Sequence, residues 1–280
     1  MRVVRVTESL RAAFTPGLRR LEAEAEYPLG DDAFRLDHGD DYFAFYDRMG
    51  DVAYYAAITG DTIAPTIVGV GCGVLRTVPD GRGGRRPAFY LADLKVAKSA
   101  RGQRVPMRLM RHGFLRHYLA CPRGFAVSMN PARGENRVVR LLQRFGSERF
   151  RWVSIDVGPV LRIHSLDAES MRRALPIVER HRGPTTFLSL LGKKDLVLRS
   201  TGKPLPLYHA QFGRSARAAR IDGVSSFAPV EGATHMVMAP EGDALDTELR
   251  SLGFSTVTTA TVVSHRMRDA DFRFLLTSDV

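Results

Sequence analysis

The spacing of apolar and polar residues in the first half of the chain switches repeatedly between helix and strand periods. A helix is predicted over Ser9–Glu26, because apolar residues recur there at helical intervals. Short runs rich in valine, isoleucine and tyrosine, bounded by glycine or loop residues, predict strands. The predicted strands are Val52–Ile58, Ile67–Arg76, Ala88–Val96, Phe125–Met129, Val153–Ile155 and Val160–Ile163, and the helices between them are Met107–Leu119 and Glu135–Phe145. This alternation is typical of an α/β layered fold, with a mixed central sheet flanked by helices.

The second half of the chain continues the alternation in a weaker form. Helices are predicted over Ala168–His181 and Ala244–Leu252. After the second of these helices, Gly253 and Phe254 lead into a β-rich stretch over Ser255–Met267. The remaining predicted strands are Thr186–Leu191, Asp195–Arg199, Pro206–Phe212 and His235–Ala239. The order of these elements predicts a second layered unit beside the first.

Length and composition fit a folded protein of one large or two moderate domains. The chain has 280 residues, of which 44% are hydrophobic and 25% are charged, as in ordinary globular proteins. It has no apolar run long enough to cross a membrane, and charges interrupt its first residues too early for a secretory signal. The cysteines, Cys72 and Cys121, lack metal-ligand spacing and are predicted to be reduced packing residues. These features predict a cytoplasmic protein with no membrane span and no metal site.

Positive charge is concentrated in the middle third of the chain. Residues 1–80 hold 8 basic and 13 acidic side chains, whereas residues 81–165 hold 18 and 4. The middle third therefore has a net charge of +14, although the net charge of the whole chain is only +11. Such a field suits a phosphate-bearing ligand, a nucleic acid or an acidic partner protein. A solvated arginine surface is the alternative.

The segment LADLKVAKSARGQRVPMRLM joins the end of a predicted strand to the start of a predicted helix. Its strand ends at Leu94 and Val96, and Arg101 and Gly102 open the loop that follows. This order resembles the cofactor signature of the GCN5-related N-acetyltransferase (GNAT) superfamily, in which Arg/Gln-x-x-Gly-x-Gly/Ala leads into a helix. The resemblance implies an N-acyltransferase that uses acetyl-CoA or a longer acyl-CoA. It also implies that the cofactor is bound by Leu94, Val96, Arg101, Gly102, Gln103, Arg104, Val105 and Met107.

The loop of this signature works through backbone N–H groups at a helix N-terminus, which can hold a pyrophosphate. Here the two small residues of the signature are replaced by Arg104 and Pro106. An arginine at this position can crowd the phosphates or pair with them. Proline has no N–H group to donate, although the first turn of a helix tolerates it.

Asp93 is the only acidic residue between Asp80 and Glu135, and it lies where the family often carries an acidic residue. Acyl transfer from a thioester needs an uncharged amine, so a nearby carboxylate can accept the proton directly or through water. The resemblance therefore implies a catalytic role for Asp93. The alternative is a structural carboxylate paired with Lys95 or with an arginine.

The segment ENRVVRLLQRFG resembles the last helix of a GNAT domain, in which a tyrosine often protonates the departing thiolate. That position is occupied by Leu142, which cannot donate a proton, so another acid or solvent must serve. His112 and His117 lie on the preceding helix at a spacing that does not bring them together, and they are predicted to be surface residues.

The segment ELRSLGFSTVTTATVVSHRM resembles the closing helix and strand of a GNAT domain, but no pyrophosphate loop precedes it. We therefore expect two such domains side by side. Residues 1–165 would form a GNAT-like acyl-CoA-binding domain, and residues 166–280 a degenerate GNAT-like or β-rich second domain. A single GNAT domain with an unrelated β-rich extension is the alternative.

The expected acceptor is a small-molecule amine or an amino-acid-like compound. The acidic segment from Glu22 to Asp41 would attract such an acceptor; the alternative is that this segment is a solvated surface. The aromatic residues of Tyr42–Tyr46 would line either a pocket or the core. The basic middle third also permits an acidic acyl carrier protein as the donor. Because the small loop residues and the tyrosine are replaced, a second possibility is that the protein is a catalytically silent module that binds acyl-CoA. Nucleic acid is the least expected partner, because no binding motif accompanies the charge.

Overall fold

The computed structural model describes residues 1–60, 63, 65–149, 153–213 and 224–280, whose strands form one large and one small sheet. The elements up to residue 166 are β1 (Arg2–Val6), α1 (Glu8–Ala23), β2 (Tyr27–Leu29), β3 (Asp32–Asp37), α2 (Ala44–Asp47), β4 (Asp51–Thr59), β5 (Thr66–Pro79), β6 (Arg85–Val96), α3 (Val105–Ala120), β7 (Gly124–Met129), α4 (Arg137–Arg149) and β8 (Asp156–Leu166). They are followed by α5 (Ala168–Arg182), β9 (Thr185–Ser189), β10 (Asp195–Leu198), β11 (Leu207–Phe212), β12 (Val224–Ser226), β13 (Thr234–Pro240), α6 (Ala244–Ser251) and β14 (Thr256–His265). No helix in these ranges is long and apolar enough to span a membrane.

The large sheet has eleven strands in the order β1-β4-β5-β6-β7-β14-β8-β13-β11-β9-β12. Most neighbouring strands are antiparallel, whereas β6 with β7 and β11 with β13 are parallel. The small sheet has the order β10-β3-β2, so it joins a strand of the second half to two strands of the first. The predicted fold class, a mixed central sheet flanked by helices, is confirmed.

The two halves of the chain exchange strands within the large sheet. The unit β7-α4-β8 resembles the unit β13-α6-β14 in its order of strand, helix and strand. However, β14 pairs with β7, where Ala260 lies opposite Met129, and β8 pairs with β13, where Leu166 lies opposite His235. The last strand of each unit thus lies beside the first strand of the other. The division at residues 165 and 166 stays a prediction, because one continuous sheet crosses it.

Helix α1 has the apolar face that its sequence predicts. Phe14, Leu18 and Leu21 are buried, and they belong to the main hydrophobic core. Helix α5 is capped by Asp167, the residue before its first turn, whose side chain accepts a 2.7 Å hydrogen bond from the Ser170 N–H. The face of α5 that points inward packs in a second core, together with α6. Both helices therefore form because an amphipathic face is buried against the sheet.

Most predicted elements coincide with observed ones, but the sequence analysis missed four strands and predicted one that is absent. Strands β1, β2, β3 and β12 were not predicted, and β3 lies within the acidic segment. The strand predicted over Val153–Ile155 is absent, because these residues are irregular, and the strand predicted over Val160–Ile163 is part of the longer strand β8. Strand β3 pairs with β10, and β8 pairs with β13 and β14. In each case the partner strand is distant in sequence. Local patterns do not encode such pairings.

Candidate functional site

Strand β6 separates from β7 halfway along its length. The two strands pair only where Phe89, Tyr90 and Leu91 face residues 124–126. Beyond this point β6 stays paired with β5 as far as Val96. A bulge lies at the point of separation, and Asp93 there has a positive φ of 57°. The result is a gap between two parallel strands, near the middle of the large sheet.

The cavity at this gap has a volume of about 310 Å³ and is lined by residues from both faces of the sheet. Alternation along β5 identifies the faces: Gly73 is directed toward His117 of α3, and Cys72 beside it is directed to the opposite face. The helix-side chamber is the part lined by Gly113, Phe114, Tyr118, Ala126, Leu142, Phe145 and Val263. The polar chamber, on the other face, is lined by Tyr46, Asp93, Lys95, Lys194, His209 and Thr277.

A buried network of charged and polar side chains supports the bulge in β6. The Lys95 ammonium pairs with the Asp93 carboxylate and donates to the Tyr42 hydroxyl at 3.2 Å. The Tyr42 hydroxyl donates to the second Asp93 oxygen at 2.7 Å. Glu22 extends the network, since it lies 3.4 Å from the Lys95 nitrogen and is also paired with the His38 ring. The acidic segment is therefore partly buried at Glu22 rather than wholly solvated.

Within this network, neighbouring groups favour the ionised forms of Glu22 and Lys95. Burial works against ionised Glu22, but the hydrogen bond and charge of His38 and the charge of Lys95 outweigh it and hold the pKa of Glu22 below its ordinary value. Burial likewise opposes the Lys95 charge, but Asp93, Tyr27 and Glu22 raise the pKa of Lys95 above its ordinary value. Burial raises the pKa of Tyr42 far above its ordinary value, so its hydroxyl stays protonated and can donate.

Asp93 reaches the cavity through its main chain. The residue as a whole is 9% exposed, but its side chain is 0% exposed, so the carboxylate is enclosed by Lys95 and Tyr42. The pairing with Lys95, which the sequence analysis gave as the alternative to catalysis, is present. A direct catalytic role for Asp93 stays a prediction, and the enclosure of its carboxylate disfavours it.

The loop before α3 has an exposed backbone and exposed arginines. Residues Arg101, Gly102, Gln103 and Arg104 are all exposed. Gly102 and Arg104 have left-handed φ values of 81° and 57°, which favour glycine and are uncommon for arginine. Within the described ranges, the N–H groups of Arg104, Val105 and Met107 donate to no acceptor. Pro106 removes a fourth donor, so three backbone donors remain for an anion.

The other predicted cofactor residues contribute in different ways. The Leu94 side chain packs toward Gly71 and lines the cavity. Val96 is paired with β5, and Val105 is fully buried against Gly69, so Val105 can contribute only its main chain. Met107 is partly buried and does not line the cavity. Leu142 forms part of the wall of the helix-side chamber.

Three residues of the second half, which the sequence analysis did not select, complete the polar chamber. Burial, reinforced by the Arg48 charge, lowers the pKa of Lys194 to about 7. Burial lowers the pKa of His209 to about 3, so its ring is neutral, and it lies 2.9 Å from the Thr277 hydroxyl. Lys194 follows a strand and His209 lies within one, and nothing in the local sequence marks either as functional. Only the small sheet and the strand exchange bring them toward Asp93.

His117 was predicted to lie on the surface, and that prediction is wrong. Its ring is partly buried, lines the cavity and forms a 2.9 Å hydrogen bond with the Tyr55 hydroxyl. Burial and the charges of Arg116 and Arg5 lower its pKa below the ordinary value for histidine. His112 is exposed, as predicted. Both cysteines are buried free thiols, as predicted.

No family model and no curated protein matches the sequence. Among solved structures, a tandem GNAT protein from the clavulanic acid biosynthesis pathway is 12% identical, over 96% of this chain and 99% of that one, with a TM-score of 0.49. A probable N-acyltransferase from Enterococcus faecalis is 7% identical over 96% and 73% of the two chains, with a TM-score of 0.44. An acetyltransferase from Vibrio fischeri is 15% identical over 45% and 94%, with a TM-score of 0.31. All three TM-scores are below 0.5, and the matches assign no role to any residue here.

Proposed function

We propose that the protein is an N-acyltransferase that moves an acyl group from a CoA-type thioester to the amine of a small acceptor. The observation that carries this proposal is the gap between β6 and β7, which opens beside the free N–H groups at the start of α3. A pantetheine arm is an extended chain with amide groups, and such a chain can hydrogen bond to the edge that β6 leaves unpaired. The polar chamber on the far side of the gap would then receive the acceptor.

The donor phosphates fit the loop before α3. The free N–H groups of Arg104, Val105 and Met107 point out of a helix N-terminus, where the helix dipole favours an anion. Arg101 and Arg104 are exposed beside them and can pair with phosphate oxygens. These arginines would compensate for the donor that Pro106 removes. The residues present therefore fit a diphosphate, although they depart from the glycine-rich signature.

In the reaction, the acceptor nitrogen attacks the thioester carbonyl carbon, the C–N bond forms, the C–S bond breaks, and the thiolate departs. A thioester supplies an activated carbonyl and a good leaving group. We propose that Lys194 accepts the proton that the nitrogen loses. It lines the polar chamber, is 3% exposed and donates to the Val280 carbonyl oxygen, and its pKa of about 7 allows the uncharged amine to form at neutral pH. Leu142 cannot protonate the thiolate, which would take its proton from solvent.

The first test measures donor binding and thiol release. Acyl-CoA should raise the melting temperature, and the double variant Arg101→Glu/Arg104→Glu should weaken donor binding by about tenfold or more, since two charge-assisted contacts are reversed. Arg35→Glu is the matched control, because Arg35 is exposed on β3 of the small sheet and should leave binding unchanged. Release of thiol in the presence of a panel of amines then reports turnover. Absence of binding to every thioester would refute the proposal.

The second test concerns Lys194 and pH. With an acceptor whose amine is uncharged at neutral pH, the transfer rate should rise as pH increases through about 7, because only neutral Lys194 can accept a proton. Lys194→Met should lower the rate by about a hundredfold or more while donor binding persists. Lys193→Met, at the exposed neighbouring position, is the control. A rate that is flat on both sides of pH 7, or retained in Lys194→Met, would contradict this role.

Two alternatives remain as outcomes of these tests. Binding of thioesters without release of thiol by any amine would favour a catalytically silent acyl-CoA-binding module. Turnover only with a carrier-linked donor would favour an acidic acyl carrier protein. The carrier alternative is supported by three exposed arginines, Arg104 immediately before α3 and Arg108 and Arg111 on it. Charge reversal at Arg108 and Arg111 should then impair the carrier-linked donor more than acyl-CoA.

A further inference from the structure

We propose that the acyl group is a hydrocarbon chain longer than acetyl, and that the helix-side chamber holds it. This inference rests on the acyltransferase function proposed above and specifies its donor. Apart from glycine, the residues that define the chamber have apolar or aromatic side chains, and they come from α3, α4, β7 and β14. Acetyl has a single methyl group and would leave most of this surface without a partner. A longer chain would cover it and remove apolar area from water.

Several polar groups at the border of this chamber have partners within the protein, although the buried Nε2 atom of His265 has none among the described residues. The Tyr55 hydroxyl and the His117 ring form a 2.9 Å hydrogen bond with each other. The Cys121 thiol lies 3.5 Å from the Pro87 carbonyl oxygen and 3.6 Å from that of Arg123. These groups therefore do not need a polar ligand. The charged residues that line the cavity near the gap, Asp93, Lys95 and Lys194, lie on the opposite face of the sheet.

Small residues keep the space beside the gap open. Gly71 and Gly73 of β5 are directed toward the helices and have no side chain to fill the chamber. Ala126 of β7 lies at the last paired position before the two strands separate, in one small core cluster with Leu142 and Val263. A thioester carbonyl in the gap would thus have a chamber of apolar side chains directly beside it. Leucine at residue 142 suits this wall, because a tyrosine there would add a hydroxyl that needs a partner.

The test is a chain-length series of ligands with a common head group. Binding of acetyl, butyryl, octanoyl and dodecanoyl thioesters of CoA and of pantetheine would be measured by calorimetry. Affinity should increase by about fourfold for each added methylene until the chamber is full. The pantetheine series lacks the nucleotide, so it still reports on the chamber if the natural donor is a carrier protein. Equal affinity across both series, or tightest binding of acetyl, would overturn the inference.

Variants at Leu142 link the effect to the chamber. Leu142→Trp should reduce the ratio of dodecanoyl to acetyl affinity by about tenfold or more, whereas Leu142→Ala should preserve or increase this ratio. Leu249→Ala is the matched control, since Leu249 is fully buried on α6 in the second core and does not line the cavity. It should leave the ratio unchanged even if it lowers stability. If Leu142→Trp leaves this ratio unchanged, the acyl chain binds outside the helix-side chamber, and the assignment of that chamber is overturned.

These measurements separate this inference from the acyltransferase proposal. Chain-length dependence of binding needs no turnover, so it can be present in a protein that releases no thiol. In that case the proposal that the helix-side chamber binds the acyl chain would be supported, and the proposal of acyl transfer would be refuted. Turnover with acetyl-CoA that exceeds turnover with every longer thioester would have the opposite meaning: the transfer reaction would stand and the chamber assignment would fall.

Discussion

Replacing Asp93 by asparagine is expected to lower the free energy of unfolding by about 3–5 kcal/mol, because it leaves the Lys95 ammonium buried without its main compensating charge. Both side chains are enclosed, at 0% and 3% exposure, and Tyr42 bridges them. The double variant Asp93→Asn/Lys95→Met should recover most of this loss, since it removes both charges together. Unfolding by urea, followed by circular dichroism, would measure these differences.

Asp51→Asn is the control for this comparison, because Asp51 is exposed at the start of β4 and should change stability by less than about 0.5 kcal/mol. A single variant as stable as the wild type would show that Lys95 is compensated by Glu22 alone. The double variant also separates structure from chemistry. If it is stable and transfers acyl groups, Asp93 is not needed for proton transfer, as the role proposed for Lys194 requires; if it is stable and inactive, the result would favour Asp93, the acceptor that the sequence implied, over Lys194.

Gly39→Ala is expected to be the most damaging substitution in the loops around the cavity, at about 2 kcal/mol or more. Gly39 has a φ of 62°, and a Cβ atom there would overlap the carbonyl oxygen of Gly192. Backbone atoms cannot move aside as a flexible side chain can. The contact joins the loop after β3 to the loop before β10, and that second loop carries Lys194.

Gly30→Ala is the matched control for Gly39→Ala. Gly30 has a similar φ of 58°, but nothing lies within 4 Å of the position of its Cβ atom. The control therefore measures the cost of the left-handed backbone alone, about 1 kcal/mol. Thermal and urea unfolding would compare the two variants. Equal losses would show that the close approach of the Gly39 and Gly192 backbones contributes nothing to stability.

The sequence predicted the central elements of the fold because each has a clear local pattern of apolar and polar residues. The apolar strand that ends at Val96 and the helix that follows it are visible in the spacing of a few residues, and both are present. The apolar face of α1 is visible in the same way. These elements combine local periodicity with burial, so propensity and packing agree.

The candidate site was predictable only in part, because half of it comes from distant segments. Asp93 could be selected from its position in the chain, but not the enclosure of its carboxylate by Tyr42, which lies 51 residues away. Lys194 reaches the cavity through the pairing of β10 with β3, and His209 reaches it because β11 lies beside β13, which pairs with β8 of the first half. No pattern within a short window reports such pairings. Glu22 illustrates the same limit, since an acidic run suggests a solvated surface until a buried histidine and lysine are placed beside one of its members.

The strand exchange also determines when this site can exist during synthesis. Strand β7 is made early, but the strand that pairs with its free edge is β14, which contains residues 256–265. Strand β8 likewise cannot pair with its neighbours until β13 and β14 have been translated. In a nascent chain that ends near residue 166, one edge of β7 and both edges of β8 therefore lack their partners, and such edges are prone to pair with other chains. Because the cavity wall at Val263 is translated after α3, β7 and α4, the helix-side chamber is complete only once β14 has joined them, and the ligand can bind there only afterwards.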